Sequence, residues 1–153
     1  MSATLVSMPR YFTLAEAERL LPDVSTAMSE ALDLFQTNQG AESQLQEAMR
    51  RIAMLGGSIA DRDRIADLKS QRDDAAIALQ GALQQIQSVG CQVKDLTLGL
   101  VDFPTLYRGD EVLLCWRFGE ERIEFWHGLE EGFRGRKPID QEFLDNHRGD
   151  PLH

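Results

Sequence analysis

Cysteine is scarce in this sequence: only Cys91 and Cys115 occur among 153 residues. Two cysteines do not suit the disulfide framework of a small secreted domain, and they favour a reducing compartment. Long apolar runs are absent as well, since no stretch approaches the ~20 residues that a membrane-spanning helix needs. The opening residues, MSATLVSMPR, contain no apolar signal core. We therefore expect a cytoplasmic protein that does not associate with a membrane.

Positive charge is also in short supply. The chain carries 16 basic and 25 acidic residues, which gives a formal net charge of −9. A general nucleic-acid binder needs a basic face to displace counterions from phosphates, so this class is disfavoured. Hydrophobic and charged contents of 42% and 27% are ordinary for a soluble protein. We expect a single domain over residues 1–153, burying roughly 68–70% of its unfolded surface.

Sequence motifs with a known mechanism are absent too. There is no HExxH, no paired Cys-x-x-Cys, no P-loop, no nucleophile elbow and no dinucleotide fingerprint. Whether the protein is an enzyme is therefore left open, and the sequence assigns no catalytic residue and no cofactor.

Aromatic residues are almost missing from residues 13–89, where Phe35 stands alone. Apolar residues recur there at helical spacing, and Thr13 with Glu16 forms a capping-box pattern at the start. Pro22 is expected to kink the first helix, and Gly56-Gly57 to separate two helices, the later of which Ser58 and Asp61 are expected to cap. The pattern predicts helices over residues 13–36, 41–55 and 58–88, with residues 37–40 ending the first.

Beyond Gly90 the period changes to two, which is typical of strands. We expect Pro104 to end one strand and Arg108–Asp110 to form a turn. The predicted strands are Gln92–Leu98, Leu100–Phe103, Glu111–Phe118 and Arg122–His127. The fold class is therefore α+β: an N-terminal helical hairpin or three-helix layer packed on a small C-terminal antiparallel sheet. Residues 1–89 form the helical half, 90–145 the sheet half and 146–153 a frayed tail that contains His147 and His153.

The hydrophobic pattern also predicts a strand register. With a hairpin closing near Gly119-Glu120, one face of the sheet is apolar and faces the helices, whereas a shift by one residue scatters polar groups over both faces. This register pairs Trp116 with Ile123, Leu114 with Phe125 and Val112 with His127. It places Cys115 beside Glu124, which disfavours a thiolate, so we interpret Cys115 as a small buried apolar residue.

Several residue groups carry a family resemblance. They are Phe12 to Pro22, Lys94-Asp95, Gly99 to Pro104, Leu114 to Arg117, Gly119-Glu120, Trp126-His127, Gly132 and Gly135-Arg136. Together they resemble the DUF2203 family of small prokaryotic proteins without an assigned function. The resemblance implies a prokaryotic cytoplasmic origin, and it implies no reaction, ligand or catalytic residue.

One candidate site binds a small anion. The segment from Gly132 to Lys137 sets cations among glycines in an otherwise acidic chain, and arginine binds carboxylate or phosphate through parallel hydrogen bonds. The simpler interpretation is that these cations pair with nearby acidic residues. The ligand-binding candidates are Lys94, Arg117, Glu124, Trp126, Arg134 and Arg136.

The other candidate site is a metal or acid–base cluster of carboxylates and one imidazole. Its members would be Asp95, Asp102, Glu120, Glu124 and His127, although their spacing matches no established ligand motif. From these patterns the leading functional hypothesis is a non-enzymatic assembly or small-anion-binding module that forms a homodimer through its helices. The alternative is a metal-dependent hydrolase that uses the carboxylate/His cluster.

Overall fold

The computed structural model describes residues 10–151 and has the predicted α+β architecture. Two long helices packed together are followed by a small antiparallel sheet. The helices are α1 (Leu14–Leu55), α2 (Ile59–Ser88) and α3 (Gln141–Asn146), and a 3₁₀ turn spans Phe133–Gly135. The strands are β1 (Gln92–Asp95), β2 (Leu100–Tyr107), β3 (Asp110–Arg117), β4 (Phe125–Gly128), β5 (Lys137–Pro138) and β6 (His147–Arg148). In the described part of the chain, no helix is both long and apolar enough to cross a bilayer.

The chain divides into two compact units. One unit contains the described residues up to Ser25 together with those from Ile86 onward, and therefore holds the sheet. The other contains Thr26–Gln85, most of the two long helices.

Capping boxes begin both long helices, as the sequence predicts. At α1 the Thr13 amide donates to Glu16 Oε1 (2.9 Å), and the Glu16 amide donates to Thr13 Oγ1 (3.1 Å). Ser58 and Asp61 make the equivalent pair at α2, with N···O distances of 3.1 and 3.2 Å. The break at Gly56-Gly57 is confirmed, because α1 ends at Leu55 and Gly56 adopts a left-handed φ of 80°.

The predicted helix end at residues 37–40 is wrong, since α1 runs through this segment and through Pro22. Its buried positions continue past Gly40 at Ala41 and Leu45, so packing on one face outweighs the roughly 1 kcal/mol that an interior glycine costs. The Asn38 side chain also donates to the backbone oxygen of Arg72 on α2, at 2.8 Å. The helical half is therefore a two-helix hairpin rather than a three-helix layer.

The sheet has the order β1-β2-β3-β4-β5, with β6 paired to β2 beyond the end of β1. All pairs are antiparallel. The predicted turn at Arg108–Asp110 is confirmed as a tight β2–β3 connection. Arg108 and Gly109 have φ values of 52° and 86°, so both occupy the left-handed region that a two-residue hairpin loop requires.

The predicted register of the β3–β4 hairpin is wrong by one residue. The structure pairs Val112 with Gly128, Leu113 with His127, Leu114 with Trp126 and Cys115 with Phe125. The connection is longer than a tight turn and spans residues 118–124. Glu120 holds it in place, because its backbone oxygen accepts from Trp116 Nε1 (2.9 Å) and its carboxylate accepts from the Arg117 amide (2.6 Å). Ile123 is buried within this loop rather than in a strand.

The slip changes which residues share a face, since direct pairs point the same way and neighbours alternate. The predicted register sets Val112, Leu114, Trp116, Ile123 and Phe125 on one face, but Phe125 points to the opposite face from Leu114 and Trp116. One face, here called the apolar face, carries Val101, Phe103, Val112, Leu114 and Trp116, and Phe12 contacts Phe103 edge-to-face at 5.5 Å. The other, here called the site face, carries Asp102, Leu113, Cys115, Phe125 and His127.

Pro104 lies inside β2 and does not end it, contrary to expectation. Its carbonyl oxygen accepts from the Phe12 amide at 2.7 Å, so this side of the residue points away from β3. The missing N–H of Pro104 points the same way. β1 pairs with residues 100–102 of β2 and β6 with residues 106–107, so no strand needs a donor at this position.

The predicted tail from residue 146 is also wrong over residues 147–151. β6 pairs with the end of β2, and His147 Nε2 accepts from the Leu14 amide at the start of α1 (3.0 Å). The preceding α3 anchors this segment, since Asp140 caps it (2.8 Å to the Phe143 amide) and Phe143 is buried. His153 lies outside the described residues.

Candidate functional site

Three buried side chains that carry metal-ligand or acid–base chemistry meet on the site face. Asp102 on β2 pairs directly with Cys115 on β3. His127 lies on the next strand of the sheet, β4. Their ligand atoms all lie within 4.8 Å of one another. The exposed fractions are 1% for Asp102, 1% for Cys115 and 4% for His127. This Asp102–Cys115–His127 group is referred to below as the buried triad.

The hydrogen bonds of His127 define where its protons lie. Nδ1 is 2.8 Å from the Gly128 carbonyl oxygen, which can only accept, so Nδ1 must carry a proton. Nε2 is 3.1 Å from Asp102 Oδ1. Without a proton between them, a lone pair would face a carboxylate in a buried site. The Asp102–His127 pair therefore holds one shared proton.

Asp102 is the most constrained member of the buried triad. Burial raises the pKa of its carboxyl, and the interaction with His127, the charge of Lys94 and a hydrogen bond with the Cys115 thiol oppose this rise. Its second oxygen, Oδ2, is buried and has no hydrogen-bond partner among the described residues. An unpartnered buried carboxylate oxygen is costly, and it marks a position where a cation or a donor would be stabilising.

Cys115 is protonated in this setting. Burial raises the pKa of its thiol to about 12, and the charge of Asp102 adds to the rise. A nucleophilic triad would have His127 facing the thiol with one nitrogen and the carboxylate with the other. Here the second nitrogen is committed to the Gly128 carbonyl. The geometry therefore disfavours covalent catalysis by Cys115.

Thiolate, imidazole and carboxylate are together the ligand set of borderline divalent ions such as zinc. In a tetrahedral zinc site the ligand atoms lie roughly 3.3–3.6 Å apart, so the observed limit of 4.8 Å requires shifts of about 1 Å. The Nδ1–H bond to a backbone carbonyl is the usual support of a metal-bound histidine, because it presents Nε2 as the ligand. A divalent ion with one thiolate and one carboxylate forms a neutral complex, which suits a buried position.

The family model for an uncharacterized conserved protein, DUF2203, matches residues 10–139. The chain belongs to the DUF2203 family. All three members of the buried triad lie within the matched range. No curated protein and no solved structure gives a significant match to the chain. Family membership therefore leaves the function of this DUF2203 chain to be argued from its own residues.

Only two residues of the predicted metal cluster come together, Asp102 and His127. Asp95 instead accepts a hydrogen bond from the Leu98 amide (2.9 Å) at the end of β1. The Glu120 carboxylate pairs with Arg136 and with the Arg117 amide. The Glu124 side chain is exposed. Sequence reasoning missed Cys115, since the predicted register set it against Glu124, whereas the structure sets it against Phe125.

The predicted anion-binding residues do not converge either. Arg136 is committed to internal contacts: it donates to Glu120 (2.7 Å) and to the Cys115 carbonyl (3.2 Å), and its guanidinium stacks on Phe125 at 4.1 Å. Trp126 contacts Tyr107 and Phe143 and lies under Lys137. Arg117 lies over Phe133, and Lys94 and Arg134 are exposed. Lys137 pairs with Glu131 and Arg136 pairs with Glu120, in line with the simpler interpretation that these cations pair with acidic residues of the chain.

Proposed function

We propose that this DUF2203 protein binds a zinc-like divalent metal ion through Asp102, Cys115 and His127. The observation that carries the proposal is the convergence of three different ligand types in one buried cluster, with Asp102 Oδ2 left without a partner among the described residues. Binding is the function in this proposal, rather than hydrolysis. Three protein ligands leave the fourth position of a tetrahedral ion open, but all three are almost completely buried, so substrate and bulk water would not reach that position.

A bound ion would crosslink three neighbouring strands of the sheet. Asp102, Cys115 and His127 come from β2, β3 and β4. The long connection at residues 118–124 does not fix the register of β3 and β4 by itself, so the metal would add to the side-chain contacts that hold it. A ligand that binds only the folded state stabilises it by about 2.7 kcal/mol at a free concentration of 100 times its Kd. The proposed role of the metal is thus to stabilise the sheet, or to make its stability depend on the metal concentration.

Cobalt(II) provides the direct test, because a cobalt–thiolate bond gives a charge-transfer absorption in the near ultraviolet. We expect one equivalent of cobalt to produce this band in the wild type, and zinc to abolish it by displacement. Cys91→Ser is the matched control, since Cys91 is the other buried free cysteine and its Sγ instead lies 3.3 Å from the Ile86 carbonyl oxygen. Cys115→Ser should lose the band while Cys91→Ser keeps it. Absence of the band in folded wild type, or its loss in both variants, would refute the proposal.

Assembly through the helices is a second candidate function, supported by exposed apolar side chains on the hairpin. Met54, Leu55, Ile59 and Ile77 are 70–79% exposed. Apolar side chains of this size suit an interface with a second copy of the chain. We expect sedimentation at tens of micromolar to give a dimer, and Leu55→Gln/Ile59→Gln to shift it towards monomer. A wild-type monomer at that concentration would contradict this candidate.

A reducing, cytoplasmic setting is part of the proposal. Cys91 and Cys115 are both free and buried, and oxidation of Cys115 would remove the thiolate ligand. Mass spectrometry of the protein purified without reductant should find both thiols unmodified, whereas stoichiometric oxidation at Cys115 would contradict this setting.

A further inference from the structure

A second, separate feature is a cleft of about 850 Å³ beside the start of α1. Its cations are three arginines, Arg10 and Arg19 from the α1 region and Arg148 from β6, and its carboxylates are Glu16 and Asp150. In a chain of net charge −9, the lining of this cleft carries one more positive than negative charge and combines it with apolar side chains. The remaining lining is partly apolar and includes Leu20, Leu106 and Pro151.

The two carboxylates of the cleft are already engaged by the backbone. Glu16 Oε1 accepts from the Thr13 amide at 2.9 Å, and Asp150 Oδ2 accepts from the Tyr11 amide at 3.2 Å. The bond from Thr13 is the main reason that the pKa of Glu16 is lowered. The charges of Arg10 and Arg19 lower the pKa of Glu16 further, but both carboxylates take their hydrogen bonds from the backbone rather than from the arginines.

The three arginines keep most of their donors free. Arg10 uses one terminal nitrogen to reach the Val89 carbonyl oxygen (2.9 Å), and Arg19 uses Nε to reach that of Ala15 (3.3 Å). Within residues 10–151 the Arg148 guanidinium has no hydrogen-bond acceptor, and none of the three arginines forms an ion pair within 4.0 Å. A guanidinium has five donors, so each can still bind an oxyanion, including in bidentate fashion.

The wall of the cleft is built with little freedom. The Asp150 amide donates to the Tyr11 carbonyl oxygen at 3.0 Å, which joins the two segments that carry the arginines. At Gly149 an added Cβ would lie 2.7 Å from Glu16 Oε1 and 2.9 Å from the Thr13 nitrogen. Only glycine allows this close approach, so the relative position of Arg148 and the start of α1 is fixed by packing.

We propose that this cleft binds a small organic oxyanion, with its phosphate or carboxylate group at Arg10, Arg19 and Arg148. The apolar body of the ligand lies against Leu20, Leu106 and Pro151. Three cations against two committed carboxylates leave the cleft with a positive balance of one, which suits an anion better than a neutral or cationic ligand. The sequence analysis expects anion binding at residues 132–137, whereas this proposal places it at the first and last segments of the described chain. The proposal does not depend on the proposed metal site.

The test uses phenyl phosphate and benzoate as probes, with inorganic phosphate and phenol as partial ligands, in calorimetric titrations of the full chain. The site variant is Arg19→Gln/Arg148→Gln. The matched control is Arg122→Gln/Arg134→Gln, which removes the same charge from two exposed arginines elsewhere on the sheet unit. Circular dichroism verifies that each variant is folded.

We expect phenyl phosphate or benzoate to bind the wild type and the control variant equally, and the site variant at least tenfold more weakly. Tighter binding of phenyl phosphate identifies a phosphate ligand, and tighter binding of benzoate a carboxylate. Inorganic phosphate and phenol should each bind more weakly than the complete probe. The proposal is overturned if neither probe saturates at millimolar concentrations, if both double variants lose affinity equally, or if inorganic phosphate binds as tightly as phenyl phosphate.

Discussion

Zinc binding to the buried triad is expected to release two protons for every ion bound. One is the proton shared by His127 Nε2 and Asp102 Oδ1, which are 3.1 Å apart, and the other is the thiol proton of Cys115. The proton on His127 Nδ1 stays, since it bonds to the Gly128 carbonyl oxygen. Before binding, the triad is neutral. Afterwards a divalent ion, one carboxylate, one thiolate and a neutral imidazole are neutral again, so charge balances with two protons released.

The expected magnitude follows from this count. Each released proton makes the association constant rise tenfold per pH unit, so the apparent affinity should rise about 100-fold per unit, or about 2.7 kcal/mol. The direction is towards tighter binding at higher pH. The contribution of the thiol to this slope should hold throughout the neutral range, because the pKa of Cys115 lies at about 12 before the metal binds.

Two assays measure the count independently. Competition with a chelator of known affinity gives the slope between pH 6 and 8, and calorimetry in buffers of different ionisation enthalpy gives the number of protons directly. Cys115→Ser should reduce the count to one and weaken binding, while Cys91→Ser should leave it at two. A wild-type count of one or less would refute the assignment of a protonated Cys115 next to a proton-sharing Asp102–His127 pair.

The remaining predictions concern stability and ligand identity. Asp102→Asn should fold with stability within about 1 kcal/mol of the wild type, because an amide can donate to His127 Nε2, yet it should lose zinc; retained binding would contradict the ligand assignment. His127→Ala leaves a buried carboxylate unpaired and should lower the free energy of unfolding by about 3–5 kcal/mol in denaturant titrations. Gly99→Ala should cost roughly 2–4 kcal/mol, because φ is 71° and the new Cβ would lie 2.8 Å from the Cβ of Phe118, whereas Gly109→Ala faces open space and should cost only about 1–2 kcal/mol. His147→Ala removes the acceptor of the first amide of α1 and should cost about 1 kcal/mol.

The division into helices and sheet could be predicted because it rests on local signals. Capping boxes at Thr13 and Ser58 and the glycines at residues 56–57 act within a few residues of themselves, and the structure confirms all three. The end predicted at residues 37–40 failed because a buried seam of α1 overrides local propensity there. The position of Pro104 inside β2 depends on which strands end near it, and this is a property of the whole sheet.

The candidate site could be predicted only in part, because it depends on register. Asp102 and His127 were included in the predicted cluster by residue type, and the structure places His127 Nε2 and Asp102 Oδ1 3.1 Å apart. Cys115 was not included, since a shift of one residue moves His127 from the face of Val112 to that of Cys115. The cause is Glu120, which the sequence suggests as part of a tight turn but which holds a longer loop through contacts with Trp116 and Arg117. Such contacts carry no periodic signal.

Two hydrogen bonds join Tyr11 and Asp150, so residues that are 139 positions apart in sequence lie side by side. A short linker could therefore join these segments, while new termini opened at Gly56-Gly57 would interrupt only the loop between the helices. Circular permutation of this kind would preserve every strand pair described above. The permuted chain would begin with α2 and end with α1, so the order in which it forms its long-range contacts would change while the native topology would not.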